Sequence, residues 1–184
     1  MRTFFAVPVN HALQQALMNK IRALTAQDWV SQVRWMPAKN WHLTLKFLGE
    51  LTSDQVSAIE VSMQDWFAEG MSYFDAEVFA IKGFPQIKTG PYIVATLDAT
   101  LLLQGLVREL EDQLRAFDIP KEKRAFRPHI TLGKWIGAAH NFPQLSECMM
   151  TTQLRVDQVN LYQSLLNQPV SEYRLLNSFP LETY

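Results

Sequence analysis

Two histidines, each followed two positions later by a threonine, hold the chemistry legible in this chain. They stand in Trp41-His42-Leu43-Thr44-Leu45 and in Pro128-His129-Ile130-Thr131-Leu132, with the histidines 87 positions apart. Both segments are apolar runs of strand composition, and alternate side chains of a strand share a face. His42 and Thr44 therefore point one way, and His129 and Thr131 do the same on their own strand. Residues i and i+2 lie about 6.6 Å apart along a strand. One phosphate thus fits against the imidazole while accepting a hydrogen bond from the threonine hydroxyl. Imidazole titrates near neutrality, so one ring can accept a proton while a second donates one. Phosphodiester hydrolysis needs both acts, a base for the attacking water and an acid for the leaving oxygen. A lone His-x-Thr is a weak signal; its duplication makes the set catalytic in expectation and favours an enzyme over a binding module.

Neighbouring residues extend this candidate site. Alternation places Leu43, Leu45 and Phe47 on the core face and leaves Lys46 beside His42 and Thr44. Arg127, two positions before His129, is a candidate phosphate ligand because a guanidinium suits phosphate geometry. Lys121, Lys123 and Arg124 form a local basic stretch able to attract an RNA backbone. Phe84, Phe126, Trp135 and Tyr162 are candidate stacking surfaces for a base, with burial the default for such side chains. His11 and His140 lack a partner motif and read as surface residues, and Cys148 shows no sign of a nucleophile.

These residues must be positioned by a regular order of elements. Strands are expected at Thr3–Val9, Val33–Trp35, Trp41–Leu48, Phe74–Ile81, Tyr92–Leu97, His129–Trp135, Leu154–Ser164 and Tyr173–Leu181. Helices are expected after Asn10, from a Thr52/Gln55 capping box to about Gly70, and from Thr100 to Phe117. Residues 82–91 read as a loop, 137–150 as a linker, and Asn167-Gln168-Pro169 as a turn between the late strands. The series strand, long helix, loop, His-x-Thr strand occurs twice. The distance from mid-strand to histidine is 37 residues in one copy and 36 in the other. This predicts two similar lobes about an approximate two-fold axis, with the histidines meeting across a cleft. The surrounding hairpin-like strands favour an α+β architecture, bilobal with antiparallel-rich sheets. All of residues 1–184 are expected in this one bilobal domain.

Composition bounds the rest. The chain has 184 residues, is 48% hydrophobic and 19% charged, and carries a formal charge of −1. It reads as a folded protein with a substantial core and not as a broadly basic nucleic-acid coat. One cysteine permits no internal disulfide and suits a reducing, cytoplasmic setting. The opening residues read as a strand and not a signal peptide, and no apolar run is long enough for a membrane span.

The chain resembles the two-histidine phosphoesterases, and among them the bacterial and archaeal RNA 2′,3′-cyclic phosphodiesterases, the LigT or 2′-5′ RNA ligase family. The resemblance is carried by Arg2-Thr3-Phe4-Phe5-Ala6-Val7, by Trp41-His42-Leu43-Thr44-Leu45-Lys46-Phe47-Leu48-Gly49-Glu50 and by Phe126-Arg127-Pro128-His129-Ile130-Thr131-Leu132. Leu161-Tyr162-Gln163-Ser164 and Tyr173-Arg174-Leu175-Leu176 add weaker support. It implies a bilobal α+β fold with both motifs facing a central cleft, and no metal or cofactor. It implies hydrolysis of a ribose 2′,3′-cyclic phosphate to a 2′-phosphate, with RNA 3′ ends or cyclic nucleotides as substrates. His42 would donate a proton to the leaving 3′ oxygen, His129 would activate water, and Thr44 and Thr131 would hold phosphate oxygens. The residues alone do not say which histidine plays which part. Some members of the family also join RNA ends through a 2′-5′ bond. The protein is expected to act as a monomer.

Other readings compete. A metal-dependent hydrolase would need three or four ligands, and neither motif supplies a nearby carboxylate or an H-E-x-x-H pattern. A non-catalytic module for RNA ends or nucleotides would have little use for intact His and Thr in both copies. A phosphodiesterase acting on 2′-5′-linked oligonucleotides would use the same residues.

Overall fold

Segments rich in β-branched and aromatic residues form the strands, some buried almost throughout and others alternating between buried and open positions. In the computed structural model the strands are β1 (Arg2–Pro8), β2 (Val33–Trp35), β3 (His42–Glu50), β4 (Phe74–Phe84) and β5 (Tyr92–Leu97), followed by β6 (His129–Trp135), β7 (Cys148–Val156), β8 (Gln158–Leu165) and β9 (Glu172–Pro180). The helices are α1 (His11–Leu24), α2 (Ser53–Ala68) and α3 (Leu101–Leu114). The structure describes residues 1–24, 28–86, 90–138, 148–165 and 172–182. His140 and the Asn167-Gln168-Pro169 turn lie outside them.

Each helix starts where a side chain answers the unpaired amides of its first turn. Asn10 Oδ1 accepts from the Leu13 amide at 2.9 Å. The expected capping box is formed, with Gln55 N donating to Thr52 Oγ1 at 3.2 Å and Thr52 N to Gln55 Oε1 at 2.9 Å. Thr100 caps α3 through the Leu103 amide, and a short 3-10 turn, Arg115–Phe117, completes the segment expected to be helical. Leu103, Leu106, Val107, Leu110 and Leu114 are buried, as their stripe predicts. No described helix is long and apolar enough to cross a membrane.

The sheet runs β7-β4-β5-β6-β3-β1-β8-β9, with β2 on β6, and its pairings are antiparallel. Read outward from the middle, β3-β1-β8-β9 and β6-β5-β4-β7 are mirror orders. The bilobal α+β expectation therefore holds, with β3 the counterpart of β6, β1 of β5, β8 of β4 and β9 of β7. The halves meet where Leu43 pairs with Ile130 and then diverge. Beyond that point β6 takes β2 as its neighbour, Val33 opposite Trp135 and Trp35 opposite Gly133. Gly133 permits this approach, since a Cβ there would stand 2.7 Å from Val33 Cγ1.

Some expectations are corrected. The expected strand Leu154–Ser164 is two strands, with the chain reversing at exposed Asp157, whose carbonyl accepts from Leu181 N at 2.8 Å. The expected linker 137–150 ends inside β7, which begins at Cys148. β4 runs on to Phe84, past the expected end at Ile81.

Both motif strands carry a β-bulge at the same place. Phe5 pairs with Lys46 and Ala6 with Thr44, leaving Leu45 as the extra residue. Ile93 pairs with Gly133 and Val94 with Thr131, leaving Leu132 as the extra residue. Each bulge follows its threonine and resets which face later residues take. Phe47, expected in the core, is consequently 68% exposed, and Lys46 is buried. From histidine to the seventh residue the two strands have the same burial sequence, with half-buried His and Thr alternating with buried apolar residues over the first four positions.

Candidate active site

The one pairing between β3 and β6 sets the geometry. Continuing the Leu43–Ile130 register by one residue each way puts His42 opposite Thr131 and Thr44 opposite His129. Directly opposed Cβ atoms lie about 4.5–5.5 Å apart and diagonal ones about 7–8 Å. The two histidines thus occupy one diagonal of a four-cornered patch and the two threonines the other. An anion centred on the patch would meet an imidazole and a hydroxyl from each half of the molecule.

Each ring is held by the backbone just before it. His42 Nδ1 lies 2.7 Å from the Asn40 carbonyl, and His129 Nδ1 lies 2.7 Å from the Arg127 carbonyl. A carbonyl only accepts, so Nδ1 bears the hydrogen in both rings. Nε2 is left as the atom that takes or gives a proton. Burial pushes the His42 imidazole below its ordinary pKa, the Asn40 carbonyl opposes this, and the charge of His129 lowers it further. Burial likewise lowers His129, with the Arg127 carbonyl opposing and the Arg127 guanidinium reinforcing. Both rings are thus biased toward the neutral form until an anion arrives.

Aromatic rings bracket the histidines. Phe4 lies 5.0 Å from His42, and Tyr173 meets the same ring edge-on at 5.0 Å. Tyr162 is 6.3 Å from His42, stacks on Phe4 at 5.5 Å, and accepts a hydrogen bond from Asn160 Nδ2 at 2.8 Å. Phe84 stacks on His129 at 4.1 Å. The Arg127 guanidinium lies 4.6 Å from the Phe84 centroid and donates to the Pro85 carbonyl at 2.8 Å. Arg127 and Phe84 therefore form one assembly around His129, and Tyr162 belongs to the wall around His42. Phe4 and Tyr173 escaped the sequence reading. Phe4 lies on β1, the strand that pairs with the first motif strand.

An open cleft of about 810 Å³ lies against this patch, lined by Thr44, Thr131 and His129 together with Phe84, Arg127, Phe47, Tyr92 and Phe126. His42, two positions before Thr44 on β3, is not among the residues that line it. The far wall comes from α3, through Gln104, Arg108 and Glu111. Lys46 borders the cleft but is 7% exposed, and its ammonium is engaged: it donates to Glu111 Oε1 at 2.6 Å and to the Pro120 carbonyl at 2.7 Å. Trp135 is buried, and Phe126 is half-buried against the core. The basic stretch is largely compensated. Lys121 pairs with Asp112 at 2.6 Å, and Arg124 grips Glu122 through two contacts of 3.1 Å, drawing that carboxyl down to about 2. His11 is exposed at the start of α1, as expected. Among the described residues, no three His, Cys, Asp or Glu side chains gather in a way that could hold a metal ion.

Comparison with known proteins agrees with this fold. A curated protein of Thermotoga maritima named RNA 2′,3′-cyclic phosphodiesterase is 28% identical over 181 residues, covering 96% of this chain and 93% of that protein. The fold matches the crystal structure of TT0787 from Thermus thermophilus with a TM-score of 0.80 at 24% identity, over 98% of both chains. It also matches E. coli LigT crystallised with 3′-AMP, with a TM-score of 0.75 at 22% identity, over 99% of this chain and 98% of that one. The family model described as LigT like phosphoesterase matches residues 7–90 and 98–171, a span that includes both His-x-Thr strands and most of the cleft wall. The chain belongs to the LigT-like phosphoesterase family.

Proposed function

We propose that this protein is an RNA 2′,3′-cyclic phosphodiesterase that opens a terminal cyclic phosphate to a 2′-phosphate by histidine acid–base catalysis. The observation that carries this is the pairing of Leu43 with Ile130, which brings His42, Thr44, His129 and Thr131 together, with Thr44, His129 and Thr131 lining one cleft. The name borne by the Thermotoga relative points the same way.

In this reading the cyclic phosphate monoanion sits between the imidazoles and accepts hydrogen bonds from the Thr44 and Thr131 hydroxyls. Neutral His129 takes a proton from water through Nε2, and the water oxygen attacks phosphorus. The bond to the 3′ oxygen breaks, and protonated His42 gives that oxygen its proton. One water is consumed, the phosphate stays on the 2′ oxygen, and the rings exchange protonation states before solvent resets them. The roles of the two histidines follow the family resemblance; the near-symmetric site would support either direction. An RNA 5′ hydroxyl in place of water makes the same transfer a 2′-5′ ligation. Arg127, held over Phe84 beside His129, adds positive charge that favours an anionic substrate. The site works without a metal, because proton transfer and hydroxyl donors supply what a Lewis acid otherwise would.

The experiment is to incubate chelator-treated protein with an RNA ending in a 2′,3′-cyclic phosphate and locate the phosphate on the product. A 2′-phosphate supports the proposal. A 3′-phosphate or restored activity only on adding a divalent metal contradicts it, and tight binding without turnover favours a non-catalytic module.

A further inference from the structure

We propose that Lys46 and Glu111 are positioning residues for the substrate: their buried pair fixes the segment 120–126 as one wall of the cleft and so sets how tightly an RNA end is held. This rests on the phosphodiesterase reading and names what shapes that site.

The segment between α3 and β6 forms this wall without regular structure. Glu122, Arg124 and Phe126 line the cleft, residues 121–128 adopt neither helix nor strand, and residues 121–125 are exposed. A segment of this kind keeps its place where its backbone groups find partners. Two buried side chains supply them. Lys46 Nζ donates to the Pro120 carbonyl at 2.7 Å, and Glu111 Oε1 accepts from the Glu122 amide at 2.9 Å. The Lys46–Glu111 contact at 2.6 Å ties these two anchors together. From Glu122 the hold passes outward. Its carboxylate accepts from the Arg124 amide at 3.1 Å and from the Arg124 guanidinium through two contacts of 3.1 Å.

A buried pair of charges asks for a cause, because apolar residues can often fill such a place at no loss of stability. The β-bulge at Leu45 sends Lys46 inward, opposite Phe5. The pseudo-symmetric position in β6 is Gly133, which has no side chain to make such a pair. The segment entering β3 is instead a 3-10 turn, Ala38–Asn40, that meets its own backbone, with Asn40 N donating to the Pro37 carbonyl at 2.8 Å and Trp41 N to the Ala38 carbonyl at 3.0 Å. The pair thus stands on the side whose entry segment lacks a turn of its own.

His129 is anchored separately from the wall. Leu97 N donates to the Pro128 carbonyl at 3.2 Å, Thr96 pairs with His129 between β5 and β6, and Arg127 donates to the Pro85 carbonyl. Loosening the wall therefore leaves the reacting groups in place and acts on binding.

The test uses the full-length protein and a short single-stranded RNA ending in a 2′,3′-cyclic phosphate. Lys46→Met with Glu111→Leu keeps the interior filled but offers nothing to Pro120 or Glu122. In this double variant kcat/KM should fall about tenfold to a hundredfold, through KM, with kcat within about twofold. Hydrogen exchange at the Glu122 amide should speed up about tenfold to a hundredfold, while the amides of β3 and β6 keep their wild-type rates. Glu111→Gln is the converse. Its one amide oxygen can accept from both Lys46 and Glu122, so KM should stay near wild type, although the Lys46 charge loses its counterion and the melting temperature falls. Stability and KM then part in opposite directions, which a merely structural pair would not do. Wild-type KM in the double variant, a loss confined to kcat, unchanged exchange at Glu122, or a KM that rises in step with lost stability would each overturn the inference. Failure of the wild type to turn the RNA over would refute the phosphodiesterase reading. In that event calorimetric Kd for the same RNA replaces KM: weaker binding by the double variant upholds the wall's role, and equal binding, or none by either protein, overturns it.

Discussion

His42 and His129 differ from free imidazole in the same way. Each donates Nδ1–H to a carbonyl two residues earlier, and each has its charged form disfavoured by burial. Replacing either by alanine should cost about 10²- to 10⁴-fold in kcat on a cyclic phosphate, with circular dichroism unchanged. Thr44→Val or Thr131→Val removes a hydroxyl from an anion and should lower kcat/KM about tenfold to a hundredfold, as read by steady-state kinetics. Because the role proposed for His42 needs its proton, and because both rings sit below the ordinary imidazole value in the free protein, kcat/KM should fall as pH rises through neutrality. Its bell-shaped profile should be centred on the acid side of an ordinary histidine pair. A profile flat from mildly acidic to alkaline pH would exclude two-histidine acid–base chemistry.

At the scale of elements, the site depends on what joins β3 to α3 and to the segment entering β6. Lys46, on β3, meets Glu111 of α3, and Glu111 Oε1 also accepts the Glu122 amide at 2.9 Å. Both side chains are nearly buried, at 7% and 11% exposure. Breaking such a pair leaves an uncompensated charge, whereas replacing both partners by apolar residues is often neutral. Lys46→Met should therefore destabilise by about 3–5 kcal/mol, and Lys46→Met with Glu111→Leu should recover most of that loss in urea melts. Thr52→Ala, which breaks the capping box of α2 far from the cleft, should cost about 1 kcal/mol and leave kcat unchanged.

Elements of this kind divide by how far the sequence reveals them. Caps at Asn10, Thr52 and Thr100 and the α3 stripe are local patterns and were legible. So were both motif strands, and the spacing that made them counterparts. The bulges at Leu45 and Leu132 were not, because one extra residue changes the parity of a strand without changing its composition. Phe47 and Lys46 exchanged their expected faces for that reason. The Lys46–Glu111 pair spans 65 positions, beyond any periodicity argument. Likewise, the partner of Lys121, Asp112, sits back on α3, outside the basic stretch.

For the whole molecule, near two-fold repetition is the organising fact. Mirror strand orders, matching bulges and matching histidine carbonyl bonds give each half one imidazole and one threonine hydroxyl at the junction of β3 and β6. The arrangement carries a stability cost in acid. A histidine whose pKa is lower folded than unfolded leaves the unfolded chain binding more protons below the ordinary imidazole value. Stability is then fully present above that value and is lost as pH falls toward the folded values. Unfolding midpoints in urea should accordingly drop between neutral and mildly acidic pH, and His42→Gln with His129→Gln should flatten that dependence.

The most direct test of one anion shared by two halves is nitrogen-15 NMR of both imidazoles while inorganic phosphate is added. If the anion sits between the rings, the His42 and His129 titrations move upward together, at one apparent affinity. Movement of one ring alone, or of each at a separate affinity, would contradict the shared site.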